Sequence, residues 1–165
     1  MNLNMHNHTL EIVSEVHQHL SNNGLTISVA ESCTGGLLSH LLTLLLGSGA
    51  FFEAGIVSYS IKAKEEILRV SRETVAKHGV VSGQTAKEMA EKGKALTKTG
   101  FSISTTGNLG PDILEGKDGS RIYVAVSSDY GTVTRELELI GDRENNKEAA
   151  ALASLELLLE VIRGA

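Results

Sequence analysis

Apolar residues recur at helical spacing from Thr9 onward: Leu10, Val13, Val16 and Leu20 share a face, and Asn22-Asn23-Gly24 stops the pattern. The polar residues before them carry no period, which predicts a frayed segment over 1–8. Thr26–Ala30 (TISVA) is short and β-branched, the sign of a strand, as are Gly55–Ser60 (GIVSYS) and Phe101–Thr105 (FSIST). Helical stretches lie between them. One is Leu37–Leu46, broken by Gly47-Ser48-Gly49; one is short, behind Ser71 as N-cap; one runs from Ser82 to about Lys98. Ile122–Ser128 and Thr132–Leu139 flank the hairpin signal Asp129-Tyr130-Gly131, and Asp142 caps a last helix near Glu144–Ile162. Strands alternating with helices predict a single α/β domain over 9–165: a three-layer α/β/α sandwich on a mixed, mostly parallel sheet.

Composition narrows the function classes. A net charge of −5, 4% aromatic residues and no Trp argue against a nucleic-acid binder. The lone cysteine, Cys33, excludes an internal disulfide and suits a reducing compartment. The apolar run Leu37–Leu46 is too short to span a bilayer, and the basic start of a secretory signal is missing. The expected location is therefore cytoplasmic, away from membranes. No Lys or Arg precedes Lys62. An anion bound by the first 61 residues must then be held by backbone N–H groups and a helix N-terminus.

Ligands of such sheets bind beyond the carboxyl ends of strands, which here means segments 31–36, 59–64 and 106–119. In the first, Gly35 and Gly36 permit close backbone approach, so the turn is either a plain connection or a cradle for an oxyanion or a phosphate. Ser32 can act as a nucleophile only beside a base. His6, His8, His17, His19, His40 and His78 are placed as surface or packing residues, and their spacing sets no zinc site, so no metal is expected. The other candidate base is a lysine, Lys62 or Lys64, just past Tyr59; a lysine serves only when neutral. Cys33 lacks the nearby Arg of an anion loop and is expected to be a small buried thiol. Arg143, opening the last helix, either reaches a phosphate or pairs with a neighbouring acid.

AESCTGG after a strand, GIVSYSIKAKEEIL, HGVVS at 78–82, TGNLGP at 106–111 and GDR at 141–143 resemble the C-terminal domain family of the competence-damage-inducible protein CinA. The likeness runs through nearly the whole chain. It implies an α/β/α domain that hydrolyses the carboxamide of nicotinamide mononucleotide to nicotinate mononucleotide and ammonia, without cofactor or metal. The catalytic residues it implies are Ser32, Tyr59 and Lys64. It also matches Thr106 and Arg143 to family positions; with Gly107 and the turn residues Thr34, Gly35 and Gly36 they are the substrate-binding candidates. The expected partners are the mononucleotide and further copies of the chain, with no nucleic acid. The loop 108–120 departs from the family: Leu109 replaces a small Ala, Ile113-Leu114 replace a glycine pair, and the second proline is absent. That departure motivates a second reading, a nucleotide-binding or regulatory domain with weak or lost turnover.

Overall fold

The structure, a computed structural model, describes residues 3–110 and 120–164. Its strands are β1 (Ile27–Glu31), β2 (Phe52–Val57), β3 (Phe101–Gly107), β4 (Ser120–Ser128) and β5 (Gly131–Leu139), joined in one sheet ordered β2-β1-β3-β4-β5. β1 pairs parallel with β2 and β3, while β3–β4 and β4–β5 are antiparallel, so β4 alone runs against the others. The helices are α1 (Leu3–Asn22), α2 (Leu37–Leu42), α3 (Ile61–Glu66), α4 (Arg72–His78), α5 (Gly83–Thr97) and α6 (Arg143–Arg163). This is the mixed α/β sandwich that the sequence pattern predicts.

Both faces of the central strands are covered, which is why every residue of β1 is buried. On one face α1, α2 and α6 pack Val16, Leu20, Leu38 and Leu155 against Val29, Ile103 and Val124. Each of these large side chains contributes about 1.5–3 kcal/mol by leaving water. On the other face α5 presents the small residues Ala86, Ala90 and Gly93 and approaches closely. A Cβ at Gly93 would stand 2.8 Å from Ser102 Oγ.

Three boundaries and one pairing depart from the sequence expectation. α1 begins at Leu3, inside the segment expected to fray; His8 there lies against Glu11 and against Glu156 of α6. α2 stops at Leu42 because the Thr43 hydroxyl turns back to the Ser39 carbonyl at 2.7 Å, and Leu44 and Leu46 are left exposed. β2 lies three residues earlier than expected, since Ser60 is the N-cap of α3 and accepts from Ala63 N–H at 3.0 Å. The antiparallel share is larger than a hairpin alone, because β4 also pairs with β3.

Candidate active site

β1, β2 and β3 point the same way, so Ser32, Tyr59 and Thr106 emerge at one edge of the sheet. The chain leaves β1 for α2 on one face and β2 for α3, α4 and α5 toward the other. A crevice opens at that switch in direction.

Lys64, on α3, is 2% exposed. Its Nζ donates to Ser32 Oγ at 2.8 Å, to the Ser58 carbonyl at 2.8 Å and to the Tyr59 carbonyl at 3.3 Å. A buried amine needs such partners to offset its loss of water. Lys62, the other lysine the sequence left open, is exposed and faces Glu66 at 4.0 Å. The Tyr59 ring does not stand between Ser32 and Lys64. It is 60% exposed, and its hydroxyl accepts from Arg143 Nη2 at 3.0 Å. Arg143 is held there by the start of α6, where Asp142 caps the Asn145 N–H at 2.9 Å.

Ser32, Tyr59, Lys64, Thr106, Gly107 and Arg143 all line one cavity of about 150 Å³. Cys33, Ile61, Val80, Val81, Asn108 and Leu109 complete its wall; four of them lie in the segments expected to meet a ligand but were given no binding role, and Val80 and Val81 lie outside those segments. Their signal is weak because they are mostly apolar residues next to polar motifs. Thr106 donates its hydroxyl to the Val80 carbonyl at 2.7 Å. Gly107 is also a packing requirement: a Cβ there would come within 2.6 Å of Ile122 Cα on β4. Leu109, the departure from the family's small residue, is 2% exposed and belongs to the core. Ile113 and Leu114, like the rest of 111–119, lie outside the described residues.

Thr34, Gly35 and Gly36 do not line the cavity. The Gly35 N–H donates to the Ser32 carbonyl and the Leu37 N–H to the Thr34 carbonyl, both at 3.2 Å. The N–H groups of Gly36, Leu38 and Ser39 donate to the Glu31 carboxylate at 2.9, 3.1 and 2.9 Å. The turn expected to cradle an oxyanion or phosphate thus has its Gly35 amide on the Ser32 carbonyl and its Gly36 amide on the Glu31 carboxylate. Gly35 and Gly36 are required by the turn itself, with φ of 57° and 99°. The available signal was a Glu ending a strand just before a helix whose N-cap, Gly36, has no side chain to offer.

Burial pushes the Cys33 thiol up from its ordinary 9.0 to about 11, against the opposing pull of the Thr105 hydroxyl, nearby amides and Lys64. It is a protonated wall residue at neutral pH. Among the described residues no three His, Cys, Asp or Glu side chains gather as a metal site, and no helix is long and apolar enough to cross a membrane.

An α/β/α domain with a buried lysine on a serine at the carboxyl edge of parallel strands is the class that fold and site define. The model of the CinA C-terminal domain family matches residues 9–162, and the chain belongs to that family. It is 42% identical over 140 residues to an Acetivibrio thermocellus protein named for competence-damage induction, covering 84% of this chain and 34% of that protein. A CinA-like protein of Syntrophomonas wolfei is 38% identical over 148 residues, covering 89% and 36%. The chain thus spans about a third of the curated relatives it matches. Among solved structures, a CinA superfamily protein of Klebsiella pneumoniae 700603 superposes with a TM-score of 0.92 at 29% identity, covering 95% of this chain and 99% of that one. A competence or damage-inducible protein of Enterobacter asburiae gives 0.90 at 32%, covering 93% and 98%.

Proposed function

We propose that this chain is an amidohydrolase that deamidates nicotinamide mononucleotide to nicotinate mononucleotide and ammonia. The observation that carries the reading is the 2.8 Å contact between Lys64 Nζ and Ser32 Oγ on the wall of a cavity. The carbonyls of Ser58 and Tyr59 can only accept, so they fix two N–H bonds of the amine. In neutral Lys64 the lone pair then faces the Ser32 hydroxyl, the arrangement a general base requires.

Ser32 Oγ attacks the carboxamide carbon as Lys64 takes its proton. The tetrahedral adduct collapses, the proton passes from Lys64 to the departing nitrogen, and ammonia leaves an acyl-serine. Water, deprotonated by Lys64, then cleaves the ester and restores Ser32. Because the Tyr59 hydroxyl accepts from Arg143, its own O–H remains to be donated to the carboxamide oxygen or to a substrate oxygen. The cavity is smaller than pockets that enclose a whole drug-sized ligand, roughly 300–1,000 Å³. On this reading the pyridine ring enters the cavity and ribose and phosphate stay outside it, within reach of the exposed Arg143.

The test is ammonia release from nicotinamide mononucleotide by the pure chain, with Ser32→Ala as control. Release abolished in the variant supports the reading, and equal background from both proteins rejects it.

A further inference from the structure

Glu31 is fully buried yet lies outside the cavity, and the chemistry above gives it no role. It accepts three N–H groups, those of Gly36, Leu38 and Ser39, and two hydroxyls, Thr34 Oγ1 and Ser39 Oγ, both at 2.7 Å. The Thr34 hydroxyl has one proton, and it goes to Glu31. At the 2.7 Å contact between Thr34 Oγ1 and Thr105 Oγ1, Thr105 is therefore the donor. Thr105 in turn receives the Ser32 N–H on its carbonyl at 3.0 Å, with its Oγ1 at 3.4 Å. Glu31 thus touches the Ser32 backbone from two sides, as its covalent neighbour and through Thr34 and Thr105.

A second consequence concerns the Ser32 hydroxyl. A serine just before a helix ordinarily accepts from amides two or three residues on, as an N-cap or serine turn. Here the Gly35 N–H turns to the Ser32 carbonyl, the Glu31 carboxylate takes the N–H groups of Gly36, Leu38 and Ser39, and Ser32 Oγ faces Lys64 instead.

We propose that Glu31 is the positioning residue for Ser32: its buried carboxylate gathers the N–H groups of Gly36, Leu38 and Ser39 at the start of α2, orders the Thr34–Thr105 hydroxyls and so leaves Ser32 Oγ to Lys64. The inference rests on reading Ser32 as the nucleophile. Glu31 itself moves no proton in the reaction.

The experiment compares Glu31→Gln, Thr34→Val and Thr34→Ser in the full chain, using amide hydrogen exchange by NMR and the kinetics of ammonia release. Gln must set an NH₂ group against at least one backbone N–H, whichever way its amide turns. Thr34→Val keeps the shape and removes the hydroxyl, and Thr34→Ser restores it. In Glu31→Gln and Thr34→Val the kcat is expected to fall roughly tenfold, with KM within about twofold and the pH profile of kcat unmoved. The Ser32 amide should exchange at least about threefold faster in Thr34→Val than in Thr34→Ser. A smaller acceleration overturns the inference, as does a loss confined to KM or a displaced pH profile. If Glu31→Gln does not fold, the two Thr34 variants decide. If the wild-type chain releases no ammonia, the deamidase reading fails separately, and exchange at Ser32 still decides the role of Glu31.

Discussion

The Ser58 N–H donates to the Glu31 carbonyl at 2.8 Å, carrying the β1–β2 ladder one residue beyond Val57. That bond sets the site. It holds Ser58 beside the residue preceding Ser32, and the Ser58 carbonyl is an anchor for Lys64 Nζ. Strand register rather than loop conformation therefore fixes the serine–lysine distance. A one-residue slip would turn the side chains of β2 to the opposite face.

Lys64 is the first residue to test. Lys64→Arg keeps the charge but cannot supply a neutral base, and Lys64→Met keeps the stem without the nitrogen. Ammonia release from nicotinamide mononucleotide should fall by roughly 10²–10⁴-fold in both, the usual worth of general acid–base catalysis. Circular dichroism should show the fold retained in Lys64→Met. Activity surviving in both variants would remove the dyad; Lys62, the other lysine just past Tyr59, is exposed and faces Glu66.

Tyr59 and Arg143 should behave as one unit. The guanidinium donates to the phenol oxygen at 3.0 Å, and both line the cavity. Tyr59→Phe and Arg143→Ala are each expected to lower kcat/KM by about tenfold, and the double variant should be little worse than either single one. The check is a double-mutant cycle on kcat/KM. Strictly additive losses would mean that the contact carries no function.

Period and capping made the layers legible in advance, and Ser71, Ser82 and Asp142 do cap α4, α5 and α6. The motif residues Ser32, Tyr59, Lys64, Thr106, Gly107 and Arg143 do meet at one cavity. The Glu31 network was not legible, because its partners span residues 34–39 and look in sequence like a ligand-binding glycine turn. The apolar walls Val80 and Val81 were hidden for another reason. Nothing local distinguishes an apolar residue facing a cavity from one facing the core.

Gly107 separates packing from binding. A Cβ there would meet backbone, 2.6 Å from Ile122 Cα and 2.7 Å from the Arg121 carbonyl. Neither atom can rotate away, so Gly107→Ala should cost about 1–3 kcal/mol or more by overpacking β3 against β4. At Gly93 the nearest atom is a side-chain oxygen, Ser102 Oγ at 2.8 Å, so Gly93→Ala should cost less. Urea unfolding of the two variants measures the difference. An equal or reversed order would contradict the β3–β4 geometry.

Cys33 gives a pH signature independent of activity. Burial raises its thiol from 9.0 to about 11 in the folded chain. The folded state therefore holds the proton at pH values where the unfolded chain has released it. Stability from this group is fully present below pH 9 and is lost as pH rises toward 11, because unfolding then releases a proton. The loss should reach on the order of 2 kcal/mol at pH 11, from 1.36 kcal/mol per pH unit over the interval between the two values. Other groups titrate in the same range, so the measurement is a difference. Urea unfolding free energies of wild type and Cys33→Ala are followed from pH 8 to pH 11. The variant should lack the steeper decline of the wild type, whatever constant offset its missing sulfur introduces. Parallel pH curves for the two proteins would mean that the thiol titrates alike in both states and is not buried behind Ser32.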